Sequence, residues 1–143
     1  MSLESANRQS RHRFMKLALC LALVGQLTAC RKPSAQDLVG TWEVAYANSK
    51  LKLKLNQDGT FEQLLEQKDK TTVLRRTGKW EMTDLEGESV VLNGALIVRD
   101  DTGTLESADR NGAWIIHVDW GFGRIRLPVN EDLNLYLDKL KHE

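Results

Sequence analysis

The sequence predicts an all-β protein, an antiparallel meander of about eight short strands that curls into a small barrel. From Leu38 onward the dominant hydrophobic period is two, which is typical of strands that bury one face. Polar turn sequences interrupt this alternation at short intervals, as they do in a meander. No spacing in the sequence is typical of a parallel βαβ unit. A meander of about eight strands protects its two edges by closing on itself.

The first half of the predicted barrel has the clearest alternation. Trp42 and Val44 share one face of the first strand, and residues 51–55 alternate leucine with lysine throughout. Asp58-Gly59 supplies the backbone conformations that a tight hairpin requires. The elements predicted in this half are strand 41–46, strand 51–55, turn 57–60, strand 61–67, turn 67–70, strand 71–82 and turn 84–88.

The second half is less regular. Residues 90–92 and 95–98 are apolar and flank Asn93-Gly94, a strong hairpin dipeptide, so they form either a hairpin or one bulged strand. The polar residues 99–112 contain at most a short strand near Thr104-Leu105. The remaining predicted elements are strand 114–120, turn 121–123, strand 124–127, a break at 128–130, and a closing strand with Leu133, Leu135 and Leu137 on one face.

The N-terminal residues form a secretory signal. A basic lead-in precedes the uninterrupted apolar stretch 17–25, and small residues follow at a cleavage point. The stretch is too short to span a bilayer, which needs about 20 apolar residues. Met15 stands directly before it and would start a complete signal, so the protein begins at Met1 or at Met15. The basic residues of the lead-in are Arg8, Arg11, Arg13 and Lys16.

Residues 27–30, Leu-Thr-Ala-Cys, resemble the lipobox of bacterial lipoproteins. The resemblance implies cleavage between Ala29 and Cys30, and diacylglycerol and fatty acyl chains such as palmitate on Cys30. An ordinary cleaved signal is the alternative. Arg31 follows the anchor, and in this family that favours the periplasmic face of the outer membrane. The resulting organisation is a signal peptide at 1–29, a lipidated tether at 30–37 in which Ser34 or Asp37 caps a helical turn, and a barrel domain at 38–143.

Charge and cysteine content exclude several function classes. Four of the 20 basic residues and one of the 20 acidic residues precede Cys30, so residues 30–143 carry a formal charge of about −3. That domain has no basic patch of the kind that nucleic-acid binding requires. Cys20 leaves with the signal and Cys30 carries lipid, so the domain has no thiol for a disulfide, a nucleophile or a metal.

Three motifs resemble small bacterial lipocalin-like domains. They are Gly40-Thr41-Trp42 at the first strand, Asp58-Gly59-Thr60-Phe61 at the first hairpin, and Gly78-Lys79-Trp80 in mid-chain. The resemblance covers the first half of the domain and implies a barrel. Lipocalins carry a basic residue that stacks on the first tryptophan by a cation–π contact, and the resemblance offers Arg124 or Arg126 for this role.

Two constellations are candidates for chemistry. His117 and Asp119 share a strand face and could supply two metal ligands or an oriented base, although a solvated outer face explains them more simply. Four tryptophans, Trp42, Trp80, Trp114 and Trp120, fall on predicted inward faces. We expect them to form the core of a short barrel, and lining for an apolar ligand is the alternative.

The sequence therefore predicts a lipid-anchored, non-enzymatic protein of the cell envelope that binds a small apolar ligand or another envelope component. The alternative is a protein-interaction module, such as an inhibitor of a periplasmic hydrolase. No catalytic triad, metal motif or phosphate loop is present to suggest an enzyme or a cofactor. The predicted partners are the membrane, through the lipid on Cys30, and a small apolar ligand or an envelope protein.

Overall fold

The computed structural model describes residues 32–68, 73–84, 88–98, 100–107, 111–121 and 123–141. The chain divides into two units, Met1–Lys32 and Pro33–Glu143, and the elements given below belong to the second. The predicted signal peptide, its cleavage point and Cys30 lie outside the described residues. No helix within the described ranges is long and apolar enough to cross a membrane.

Within these ranges the chain forms one short helix and eleven strands. Nine strands make one antiparallel sheet in the order β8-β5-β4-β3-β2-β1-β11-β10-β9, and β6 and β7 form a separate pair. The sheet curves into a nearly closed barrel, which confirms the predicted fold class. The elements are α1 (Ala35–Leu38), β1 (Gly40–Ala45), β2 (Ser49–Leu55), β3 (Thr60–Gln67), β4 (Val73–Thr83), β5 (Ser89–Asn93), β6 (Ile97–Val98), β7 (Leu105–Ser107), β8 (Ala113–His117), β9 (Asp119–Gly121), β10 (Arg124–Asn130) and β11 (Leu135–Lys139).

The barrel closes because one extended segment joins the two ends of the sheet. Strand β8 pairs with β5, whereas β9 pairs with β10. Only Val118 separates β8 from β9, and its N–H donates to the Glu88 carbonyl oxygen at 2.8 Å. The sequence predicts one strand over 114–120. The structure divides it at Val118 because its two halves pair with opposite ends of the sheet.

Alternation along the strands places the large apolar side chains inside the barrel. In β2 the leucines at 51, 53 and 55 are buried, whereas Lys52 and Lys54 lie on the outer face. This burial confirms the alternation that the sequence predicts there. The largest fully buried side chains are Trp42, Phe61, Leu38, Leu51, Leu53, Leu55, Leu65, Leu92, Leu96, Ile116, Leu127 and Leu137.

Helix α1 covers the barrel end at which β1 begins. Ser34 is its N-cap residue, and both the N–H and the hydroxyl of Ser34 donate to Oδ2 of Asp37, at 2.8 and 2.6 Å. Leu38 is fully buried, and its carbonyl oxygen accepts a hydrogen bond from Nε1 of Trp42 at 2.8 Å. The short helix is therefore fixed to the core through both an apolar side chain and a tryptophan.

The basic residue over Trp42 is Lys139, so the expectation that Arg124 or Arg126 stacks there is wrong. Lys139 is the register partner of Trp42 on β11, and its Nζ lies 5.4 Å from the Trp42 ring centroid. The same Nζ donates to the Asp37 carbonyl oxygen at 2.7 Å. Desolvation lowers the pKa of Lys139, and the nearby Asp37 carboxylate opposes that shift. Both arginines lie on the outer face of β10 instead.

Residues 94–98 and 100–105, which we term the cap, cover the barrel end at which β1 finishes, where the Ala47 N–H donates to the Asp101 carbonyl oxygen at 2.9 Å. Neither of the two arrangements predicted around Asn93-Gly94 occurs: β5 pairs with β4 and β8, and β6 pairs with β7. The chain turns at Gly94, whose φ of 78° suits glycine. It then leaves the sheet and buries Leu96 and Val98 against the core.

Hydrogen bonds from the barrel wall hold the cap. Gln63 is fully buried, donates from Nε2 to the Leu96 carbonyl oxygen at 2.9 Å, and accepts the Leu96 N–H at 2.6 Å. The Tyr46 hydroxyl donates to the Val98 carbonyl oxygen at 3.2 Å. Burial raises the pKa of Tyr46, and the Asp100 charge raises it further, so this phenol stays neutral as a donor.

Two predictions for the closing segments are wrong. Strand β10 runs through Pro128 to Asn130, because a bulge between these residues lets the pairing with β11 continue beyond the proline. Leu133 does not share the inward face with Leu137. It lies in the turn before β11 and is 45% exposed, and its N–H donates to Oδ1 of Asn130 at 3.2 Å.

Candidate functional site

Three of the four tryptophans are core residues. Trp42, Trp80 and Trp114 are buried, and Nε1 of Trp80 donates to the Asn56 carbonyl oxygen at 2.9 Å. Trp120, also predicted on an inward face, is half-buried; it pairs in register with Ile125, which packs against the core, and it also lines a cleft at the β9–β10 pair. Its strand consists of three residues at the end of the sheet, so less of the core covers it.

The barrel interior is occupied by the protein's own side chains. Trp42 and Phe61 fill it from the wall, Leu38 enters it from α1, and Leu96 enters it from the cap. Sequence reasoning missed Gln63, which is the buried polar residue beside Leu96. Gln63 lies on β3 two residues after Phe61 and two before Leu65, so alternation along the strand places it on the inward face. That alternation is the sequence signal that could have identified it.

His117 and Asp119 are not brought together as a catalytic or metal site. His117 is exposed at the end of β8, and its Nδ1 lies 3.0 Å from the Ser89 hydroxyl oxygen. Asp119 begins β9 and is the register partner of Arg126. In the part of the chain that the structure describes, no three His, Cys, Asp or Glu residues are placed to hold a metal ion.

Two clefts lie on the outer surface of neighbouring strands β9, β10, β11 and β1. The larger, of about 540 Å³, follows β11 and is lined by outward-facing Glu43, Ala45, Tyr136 and Asp138 together with Arg126. The smaller, of about 520 Å³, lies over the β9–β10 pair. Because Arg126 lines both clefts, they are neighbours on one surface. We term this surface the cleft face and define it by Glu43, Asp119, Arg124, Arg126, Tyr136 and Asp138.

The larger cleft opens where the pairing between β1 and β11 ends. That pairing includes Trp42 with Lys139 and Glu43 with Asp138, although both strands continue beyond Glu43 and Asp138. Ala45 and Tyr136 occupy the next hydrogen-bonding positions and are not paired with each other in the described structure. The bulge in β10 and the turn at Asn134, whose φ is 52°, redirect β11 at this point.

The chemistry of the cleft face is aromatic and ionic. The Arg126 guanidinium lies over the Tyr136 ring, 5.3 Å from its centroid, and this contact holds an exposed cation in a defined position. Glu43 forms an ion pair with Lys50 at 2.7 Å, so Lys50 offsets its charge. Asp138 remains exposed on the cleft floor. The face therefore places a guanidinium, a phenol and a carboxylate side by side.

The outer surface of β2 and β3 has a different character. Lys52 faces Glu66 at 3.6 Å and Lys54 faces Glu62 at 3.9 Å, and both pairs are well exposed. Pairs of this kind contribute little to stability, about 0–1 kcal/mol each. This outer surface is solvated, and it adjoins the cleft face because Lys52 is the register partner of Glu43.

A comparison of the chain with known protein families, with curated proteins and with solved structures finds no match. The geometry of the barrel and of its outer face therefore carries the functional argument.

Proposed function

We propose that this protein is a non-catalytic, lipid-anchored module of the cell envelope that binds another protein through its cleft face. The observation that carries the proposal is the packing of the barrel. Leu38 closes one end, Leu96 enters from the other, and Trp42 and Phe61 fill the space between them. Room for a partner exists on the outside, where clefts of about 540 and 520 Å³ adjoin.

The composition of the cleft face supports a protein as the partner. Tyrosine, tryptophan and arginine are the residue types enriched at the energetic centres of protein interfaces. Here Tyr136 and Arg126 line the larger cleft, and the contact between them pre-orients both. Pre-orientation lowers the entropy cost of ordering side chains on binding. The packed interior counts against the other expectation, a small apolar ligand inside the barrel.

Affinity purification of the full-length protein from membranes in mild detergent tests the proposal. We expect co-purifying envelope protein to fall about tenfold or more when Arg126→Ala and Tyr136→Ala are combined, because residues of these types often contribute 2 kcal/mol or more to binding. The matched control combines Lys79→Ala with Glu81→Ala, two exposed residues of β4, a strand that lies away from the cleft face in the strand order, and it should leave recovery unchanged. Equal loss in both variants, or equal retention in both, would contradict the assignment of the cleft face.

A further inference from the structure

We propose that one partner of the cleft face is a second copy of the same chain, related by a two-fold axis that runs parallel to the strands between β10 and β11. This proposal rests on the proposed function, since it names an occupant for the same surface. In a two-fold dimer the same patch on both chains must complement itself. The positions of Arg126 and Asp138 satisfy that requirement.

The register of β10 and β11 supplies the complementarity. Leu127 pairs with Leu137, so Arg126, one residue earlier, lies at the level of Asp138, one residue later. An axis along the line between the two strands exchanges these positions when two faces meet. Each Arg126 then opposes Asp138 of the second copy, which gives two equivalent contacts between opposite charges.

Both groups are available for such contacts. Arg126 and Asp138 are exposed, and among the described residues neither has an ion-pair partner within its own chain. Arg126 instead leans over Tyr136 on the ridge between the two clefts. In the two-fold arrangement Arg126 faces the larger cleft of the second copy, which Asp138 helps to line.

The flanking charges include one contact between like charges, and a neighbouring lysine offsets it. The same axis brings β9 of one copy toward β1 of the other, and so brings Asp119 toward Glu43. Lys50, whose ammonium lies 2.7 Å from the Glu43 carboxylate, offsets that repulsion. Gly121, also on β9, has open space where a Cβ would stand, so the adjoining strand presents no steric obstacle there.

The direction of the axis also suits a membrane-anchored protein. An axis parallel to the strands leaves α1 at the same end of both barrels, so two anchored chains could pair on one membrane surface. Confinement to a surface raises the effective concentration of one copy around another, and it permits pairing through a small interface.

Charge reversal in the full-length protein, followed by sedimentation in non-ionic detergent, tests the proposal. We expect the native chain to dimerise, and Arg126→Asp or Asp138→Arg alone to weaken dimerisation at least tenfold by opposing like charges twice per dimer. The combination of both substitutions should restore dimerisation, because it exchanges the two charges across the axis. Thermal melting of each variant identifies any that fail to fold.

Disulfide capture provides a second measurement that does not depend on charge. Chains with Arg126→Cys and chains with Asp138→Cys, carrying different tags, should form a covalent mixed dimer in the membrane. Chains with Lys79→Cys, on β4 away from the cleft face, and chains with Asp138→Cys should not. A monomeric native chain, or a double charge variant no better than the singles, would overturn the dimer. If the Arg126→Ala/Tyr136→Ala variant then still loses an envelope protein, the proposed function stands without the dimer.

Discussion

At residue 78 the barrel wall leaves no room for a side chain. Gly78 lies opposite Phe61 in the register of β3 and β4. A Cβ built there would meet the Asn93 carbonyl oxygen and would stand 2.7 Å from Cε1 of Phe61. We expect Gly78→Ala to destabilise the protein by about 1–3 kcal/mol through overpacking. Thermal unfolding should show a Tm lower by roughly 5–15 °C.

Gly121 is the matched control for this substitution. It also lies in a strand, but a Cβ there would have nothing within 4 Å. Gly121→Ala should therefore leave the Tm unchanged or raise it slightly, since alanine reduces the conformational entropy of the unfolded chain and so stabilises the fold by about 0.4–1 kcal/mol. An equal loss of Tm in both variants would show that strand glycines matter here for another reason than space.

The contact over Trp42 shows which part of a residue's surroundings the sequence predicts and which part it does not. The buried position of the tryptophan follows from the alternation of residues 41–46. The choice of Lys139 over Arg124 or Arg126 depends on long-range register. Lys139 pairs directly with Trp42, whereas the two arginines have outward parity on β10. The alternation along a strand predicts which of its side chains face inward. It does not predict which strand pairs with it.

At the scale of elements, Gln63 links the sheet to the cap. Its side-chain amide satisfies both the N–H and the carbonyl oxygen of Leu96, at 2.6 and 2.9 Å, in a site from which water is excluded. An unsatisfied buried backbone group costs about 1–3 kcal/mol. The amide of Gln63 thus joins β3 to the cap through two buried hydrogen bonds.

We expect Gln63→Leu to loosen the cap more than it loosens the barrel. The variant leaves two buried backbone groups of Leu96 without partners, so the free energy of unfolding should fall by about 2–5 kcal/mol. Hydrogen exchange should accelerate most in the cap, and less in β1 to β4. Gln57→Leu, in the exposed turn before Gly59, should change neither quantity. Uniform acceleration along the chain would show that Gln63 stabilises the whole core and does not specifically hold the cap.

The arrangement of the cap could not be predicted from the sequence. The apolar residues 95–98 have the composition of a strand, and Asn93-Gly94 has that of a hairpin turn, so local pattern favoured continuation of the sheet. In the structure the same residues leave the sheet, and Leu96 and Val98 pack against the core at the barrel end. This placement depends on the tertiary arrangement, and no local sequence pattern predicts it.

For the whole molecule, the all-β meander and its inward leucines could be predicted because they depend on a period of two. The cleft face could not. It combines Glu43 from β1, Arg126 from β10, and Tyr136 and Asp138 from β11, and these strands meet only after the sheet closes. Its residues are outward-facing, a class that sequence patterns treat as solvated surface.

The remaining prediction concerns the attachment of the molecule to its membrane. If Cys30 carries the lipid, Cys30→Ala should abolish incorporation of labelled palmitate and move the protein out of the membrane fraction. Each buried CH₂ of an acyl chain contributes about 0.8 kcal/mol, so two or three chains hold a protein that a single chain holds only marginally. Cys20→Ala is the control and should leave both labelling and fractionation unchanged, because Cys20 precedes the cleavage point. Labelling that survives Cys30→Ala would refute the lipobox interpretation and, with it, the argument that anchoring assists pairing of the cleft faces.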